Sequence, residues 1–226
     1  DPRRYDELWK RKTVPDRRRV VFSLLVDLSG SMNGAKTSAA LRGTVVFAET
    51  LARLKIPFAV NGFQDVVIPL LGFKDGLDDA ARTRIGEMPL EVAAQRPGGN
   101  NTPQFNDDGP CLKEAGDALL SEMAEERVLV VISDGCPNGT RSCQQDLSHA
   151  VTSLERRGIL LFGVGIGPET EHVRSFYPSS ISCVPVPSFA KTISELLETV
   201  IVRRKTGRNA VKAVIPEEDP SDDLPF

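Results

Sequence analysis

The chain has 226 residues, 40% of them apolar and 26% charged, with a formal net charge of −3 and a pI near 5.6. That length suits one well-buried core rather than two, and the acidic balance gives no bulk attraction to nucleic acid or to an anionic membrane. No apolar run approaches the roughly 20 residues that span a bilayer.

No signal peptide is visible, and a start at Asp1 rather than methionine points to a processed chain or a fragment. Residues 1–19, DPRRYDELWKRKTVPDRRR, read as a polar leader lying over the fold, with Tyr5 and Trp9 as anchors. Residues 20–26 form a strand that is apolar on both faces, as in the middle of a parallel sheet covered by helices. Helical spacing runs over 37–54, carried by Val45, Val46, Ala48, Leu51 and Leu54. Residues 57–64 and 66–71 are β-rich runs on either side of Asp65, which predicts a hairpin with an antiparallel edge strand.

A short helix is expected over 77–88. A loop rich in Gly, Asn and Pro over 96–108 then leads into a helix over 110–125, with Pro110 in its first turn. Residues 128–133, VLVVIS, are a second buried strand. A helix over 147–157, a third buried strand over 159–164 and a short helix over 169–176 follow. Pro185 within a last strand over 182–186 puts that strand at an edge, and a helix over 189–202 closes the pattern. Strands alternating with helices imply right-handed crossovers. The expected fold is α/β, a doubly wound, Rossmann-like, mainly parallel six-stranded sheet with one antiparallel edge strand and helices on both faces. The domain is read as 20–204. Residues 205–226 pass from basic to acidic with three prolines and read as a flexible tail without a core of its own.

Cys111, Cys136, Cys143 and Cys183 form no CxxC pair, and His149 and His172 lack metal-site spacing to them. They read as small buried thiols of a reducing, cytoplasmic protein, with a Cys136–Cys143 bridge left open. GSMNGAKT (30–37) lacks phosphate-loop spacing, GVGIG (163–167) lacks a G-x-G-x-x-G register, and no nucleophile elbow is evident. The chain is therefore not read as an enzyme. Clusters at 17–19 and 203–205 read as solvated basic ends, and direct nucleic-acid binding is not expected.

The stretch VVFSLLVDLSGSM (20–32) holds the functional signal. Ligands of doubly wound sheets gather at the carboxyl ends of strands, where Asp27 and Asp134 both stand, on strands expected to be neighbours. Nothing in the apolar strands neutralises them, so either one is protonated or a cation lies between. Positions 27, 29 and 31 can turn one carboxylate and two hydroxyls to the same side, an oxygen set suited to Mg²⁺. The plain alternative is a turn in which Asp27 is an Asx residue. VISDG at the end of a second buried strand favours the cation.

DLSGSM (27–32) resembles the DxSxS signature of von Willebrand factor A (VWA) domains, and VISDG (131–135) resembles the last element of their metal-ion-dependent adhesion site, or MIDAS. For the middle element, GGNNTP offers Thr102 and NDDGPCL offers Asn106 and Asp108. The second is similar to the N-x-D-G-x-A-L pattern of the VWA-bearing subunit of aerobic cobaltochelatase, with Cys111 in place of alanine, and is favoured here. LVVISDGCP and LLFGVGIG are similar to the same branch, whose members work beside AAA+ ATPases.

The resemblance implies Mg²⁺ or Mn²⁺ held directly by Ser29 and Ser31, with Asp27 and Asp134 acting through water. An aspartate or glutamate of a partner would take the open position. It implies a protein-interaction module, as an adaptor to an AAA+ ATPase. The alternative is a cobaltochelatase-like subunit in metal insertion into a tetrapyrrole. Separately, PSDDLPF resembles the acidic tip of bacterial single-stranded-DNA-binding proteins. That resemblance implies docking of Asp222, Asp223 and Phe226 on the repair and replication enzymes that bind such tips; a plain acidic end is the alternative.

Overall fold

The computed structural model describes residues 19–92, 106–137 and 144–205. The sheet consists of β1 (Val20–Asp27), β2 (Phe58–Phe63), β3 (Val67–Leu71), β4 (Glu126–Ser133), β5 (Ile159–Ile166) and β6 (Ser179–Val184). Their order is β3-β2-β1-β4-β5-β6. Every pairing is parallel except β2 with β3. The mainly parallel α/β sheet with one antiparallel edge is thus present as expected.

Side-chain alternation along β1 divides the core. Phe22, Leu24 and Val26 face a cluster shared with α1 (Ala35–Arg53), α2 (Asp79–Gly86) and α6 (Phe189–Lys205). Val21 and Leu25 face the opposite cluster, built with α3 (Asp108–Leu120), α4 (Gln144–Arg156) and α5 (Val173–Phe176). Burial on both faces explains why β1, Ser23 apart, and β4 from Val128 to Ile132 are apolar at successive positions. On the first face, Phe47 meets Phe22 and Phe58 edge-on, each with ring centroids 6.1 Å apart. Gly43 lets α1 approach α6 closely, since a Cβ there would lie 2.9 Å from the Phe189 ring.

Several boundaries differ from the sequence reading. Helix α3 starts at Asp108, two residues before the expected 110, so Asp108 belongs to its first turn. Strand β6 ends at Val184, so Pro185 lies just beyond it. Its edge position follows from sheet order instead. Strand β5 runs on to Ile166 through Gly163 and Gly165, whose missing side chains leave room for the Tyr177 ring and for Thr170. The thiols are not uniformly buried as expected. Cys111 is buried, Cys183 half-buried and Cys136 exposed, because Cys136 stands in the turn beyond β4. Cys143, the leader over 1–18 and the tail over 206–226 lie outside the described residues. No helix among the described residues is long and apolar enough to cross a membrane.

Candidate metal-binding site

Reading outward from the middle, the sheet runs β1-β2-β3 to one side and β4-β5-β6 to the other. The crevice over the carboxyl ends of β1 and β4 is therefore a topological switch point, where such folds bind ligands. Asp27, completely buried, closes β1, and Asp134 follows β4 with its side chain fully covered.

The DLSGS segment leaves β1 in extended backbone at Ser29 and then makes a 3-10 turn over Gly30–Met32. Met32 is buried in the core, and Thr37 on α1 donates its hydroxyl to the Met32 carbonyl. This anchoring fixes the loop between strand and helix. The Asp27 Oδ1 accepts the Ser29 amide at 2.8 Å, so the Asx turn of the plain reading is present. It coexists with the clustering of oxygens. The Ser29 and Ser31 hydroxyls lie 3.0 Å apart, and Ser31 Oγ donates to Asp134 Oδ1 at 2.7 Å. Asp27 Oδ2 accepts from Ser133 Oγ at 3.1 Å and from Asn106 Nδ2 at 3.4 Å.

Asp108 is buried at the first turn of α3, and its Oδ2 has no hydrogen-bond partner. Burial raises its pKa well above the ordinary carboxylate range, and the charges of Asp27, Asp107 and Asp134 add to this. Burial likewise raises Asp27 to about 6. The hydrogen bonds from Ser29 and Ser133 pull the other way, and the Asp134 charge pushes it further up. The Tyr177 phenol below is also raised, by burial and then by Asp108 and Asp27.

Asp27, Ser29, Ser31, Asn106, Asp108 and Asp134 thus converge from β1, α3 and the end of β4. Thr102 lies outside the described residues, as do Asp222, Asp223 and Phe226. One expectation is corrected: Asp134 is not without a neutralising charge, because Lys36 Nζ lies 2.6 Å from its Oδ2. Sequence reasoning also missed Ser133 and Gln64. The Gln64 side chain donates to the Leu28 carbonyl at 2.8 Å and to the Glu91 carbonyl. Ser133 had a usable signal, a hydroxyl ending a buried strand beside Asp134; Gln64 had none.

Among the described residues no group of three or more His, Cys, Asp and Glu side chains is poised to cage an ion. An ion here would therefore draw on serine hydroxyls as well as carboxylates. The donor set fits a small hard cation: every donor is oxygen, and an unpaired carboxylate oxygen is buried among like charges.

Residues 9–85 match the family model described as the cobalamin biosynthesis protein CobT VWA domain. Among solved structures, the PilB minor pilin from Streptococcus sanguinis is 15% identical with a TM-score of 0.62, over 83% of this chain and 62% of the pilin. The vWF domain of a type V pili tip protein from Porphyromonas gingivalis is 9% identical with a TM-score of 0.63, over 86% of this chain and 98% of that domain. Proximal thread matrix protein 1 from the mussel byssus, with a zinc-occupied MIDAS motif, is 13% identical with a TM-score of 0.54. That match covers 81% of this chain and 48% of the byssus protein. The chain thus spans under two thirds of the pilin and of the byssus protein.

Proposed function

We propose that this chain, a von Willebrand A domain related to the CobT branch, is a metal-ion-dependent protein-interaction module rather than an enzyme. What supports the reading is one observation: the Ser31 hydroxyl joins Ser29 on the β1 loop to Asp134 beyond β4, with Asp27 alongside. A bound Mg²⁺ or Mn²⁺ would supply an electrophilic open coordination position for an aspartate or glutamate of the partner.

Ser29 and Ser31 would hold the ion through uncharged oxygens, which leave its positive charge available. Asp27, fixed by the Ser29 amide and the Ser133 hydroxyl, would orient a water ligand, as would Asp134. Asp108, at the start of α3, or Asn106, just before it, would complete the shell. A direct contact from Asp108 would weaken the ion's pull on a partner carboxylate, whereas Asn106 would not.

The partner we favour is an AAA+ ATPase. This rests on likeness to the CobT branch, and fold alone does not carry it. The test is capture of a co-encoded ATPase on the immobilised chain. Recovery is expected in Mg²⁺ and not in EDTA, and it should be lost in Ser29→Ala. Equal recovery in EDTA would overturn metal-mediated docking.

The match of residues 9–85 to a cobalamin-biosynthesis family favours one second reading, a subunit of a cobaltochelatase-like assembly. Cobalt insertion into a tetrapyrrole by the reconstituted assembly, dependent on this chain, would establish it. Unchanged insertion without the chain would remove it.

A further inference from the structure

We infer that Lys36 is the built-in counter-ion of this site, which neutralises Asp134 in the metal-free protein and must give way when a divalent cation binds. The inference rests on the metal-binding reading above and assigns a residue which that reading leaves out.

Lys36 is the second residue of α1. A cation in the first turn of a helix opposes the helix dipole, so helix stability does not explain a lysine here. Its partner does. Lys36 Nζ donates to Asp134 Oδ2 at 2.6 Å, while Oδ1 of the same carboxylate takes the Ser31 hydroxyl at 2.7 Å. The Asp134 side chain is wholly buried, and a buried carboxylate stripped of its partner is strongly destabilising. Asp27 and Asp108 make no ion pair among the described residues, so Lys36 there serves Asp134 alone.

The lysine is also placed to leave. Its side chain is 33% exposed. Its stem passes over Gly167, where a Cβ would approach Lys36 Cε to 3.3 Å; at φ +97° that position also disfavours any side chain. The Lys36 stem therefore lies against the bare backbone of Gly167, just beyond β5, with a third of the side chain open to solvent through which it can leave. A divalent cation beside Ser31 and Asp134 would repel Lys36 and replace its charge. The lysine thus sets the affinity of the site: it weakens metal binding and stabilises the metal-free form.

The test is Mn²⁺ titration by calorimetry, with melting temperatures in EDTA, for wild type, Lys36→Gln and Lys36→Arg. In Lys36→Gln, Mn²⁺ should bind about tenfold tighter, and the metal-free protein should melt lower. Lys36→Arg should keep wild-type affinity to within about threefold. Reaction of wild-type Lys36 with an amine-acylating reagent, followed by mass spectrometry, should speed up on adding Mn²⁺. Unchanged or weaker Mn²⁺ binding in Lys36→Gln, or labelling indifferent to Mn²⁺, overturns the inference and leaves the metal site standing. If neither wild type nor Lys36→Gln binds Mn²⁺, the metal reading itself falls and takes the inference with it.

Discussion

The Gln64 carbonyl accepts the Asp107 amide at 2.8 Å, which ties the residue after β2 to the segment that carries Asn106 and leads into α3 at Asp108. The Gln64 side chain meanwhile bonds the carbonyls of Leu28, next to Asp27, and Glu91. One largely buried glutamine therefore holds together the two loops that supply the site's oxygens. Gln64→Ala keeps its own carbonyl but leaves the Leu28 carbonyl unpaired in the interior. Stability should fall by about 1–3 kcal/mol, and Mn²⁺ affinity should fall with it as the loops loosen. Urea unfolding and calorimetry would check this. A variant within about 0.5 kcal/mol of wild type and with equal Mn²⁺ affinity would contradict it.

Acid should stabilise the metal-free site. Asp27 is raised from an ordinary 3.8 to about 6, chiefly by burial. Its stabilising protonation is complete below the ordinary value and is lost as pH rises through 6. Asp108 shifts in the same direction. The increase in melting temperature that Mg²⁺ gives over EDTA should therefore grow between pH 5 and 7, since binding needs the carboxylates ionised. Asp27→Asn should flatten that growth. A Mg²⁺ increment independent of pH in wild type would rule this linkage out.

Ser29 and Ser31 should separate binding from folding. Ser31 is exposed, and its hydroxyl bonds only side chains of the site. Ser31→Ala leaves Asp134 Oδ1 without its hydroxyl donor and should cost about 1 kcal/mol in the metal-free protein, while weakening Mn²⁺ binding at least about tenfold. Chemical unfolding in EDTA and Mn²⁺ titration of one preparation would decide. A large stability loss with unchanged Mn²⁺ affinity would make the serine structural.

What could be read from the sequence depended on how local each signal was. Asp27 and Asp134 stood out because burial on both faces makes β1 and β4 largely apolar, against which a terminal acid is conspicuous. Asn106 and Asp108 were legible through the resemblance of NDDGPCL to the N-x-D-G-x-A-L pattern. Lys36 was not, because its partner is 98 positions away and its surroundings looked like a rejected phosphate loop. Nor was Gln64, since half of its role belongs to a backbone carbonyl that any residue would supply. Helix α3 was started two residues late because Pro110 suits several first-turn positions, and the buried Asp108 belongs to the helix itself.

The glycine after Asp108 has a reason that only packing reveals. A Cβ on Gly109 would lie 2.9 Å from the Asp146 carbonyl carbon and 3.0 Å from the Leu147 amide nitrogen, both backbone atoms of α4. Backbone cannot swing aside as a flexible side chain can. In an open helix, glycine to alanine stabilises by about 1 kcal/mol; here overpacking, at about 1–3 kcal/mol, should reverse the sign. Gly86, also helical but with open space where its Cβ would be, is the matched control. Gly86→Ala should be neutral or stabilising, while Gly109→Ala should destabilise. Because Asp108 is its neighbour in the first turn of α3, Gly109→Ala should also weaken Mn²⁺ binding beyond what Gly86→Ala does. Equal unfolding midpoints and equal Mn²⁺ affinities for the two variants would show that the α3–α4 contact does not position Asp108.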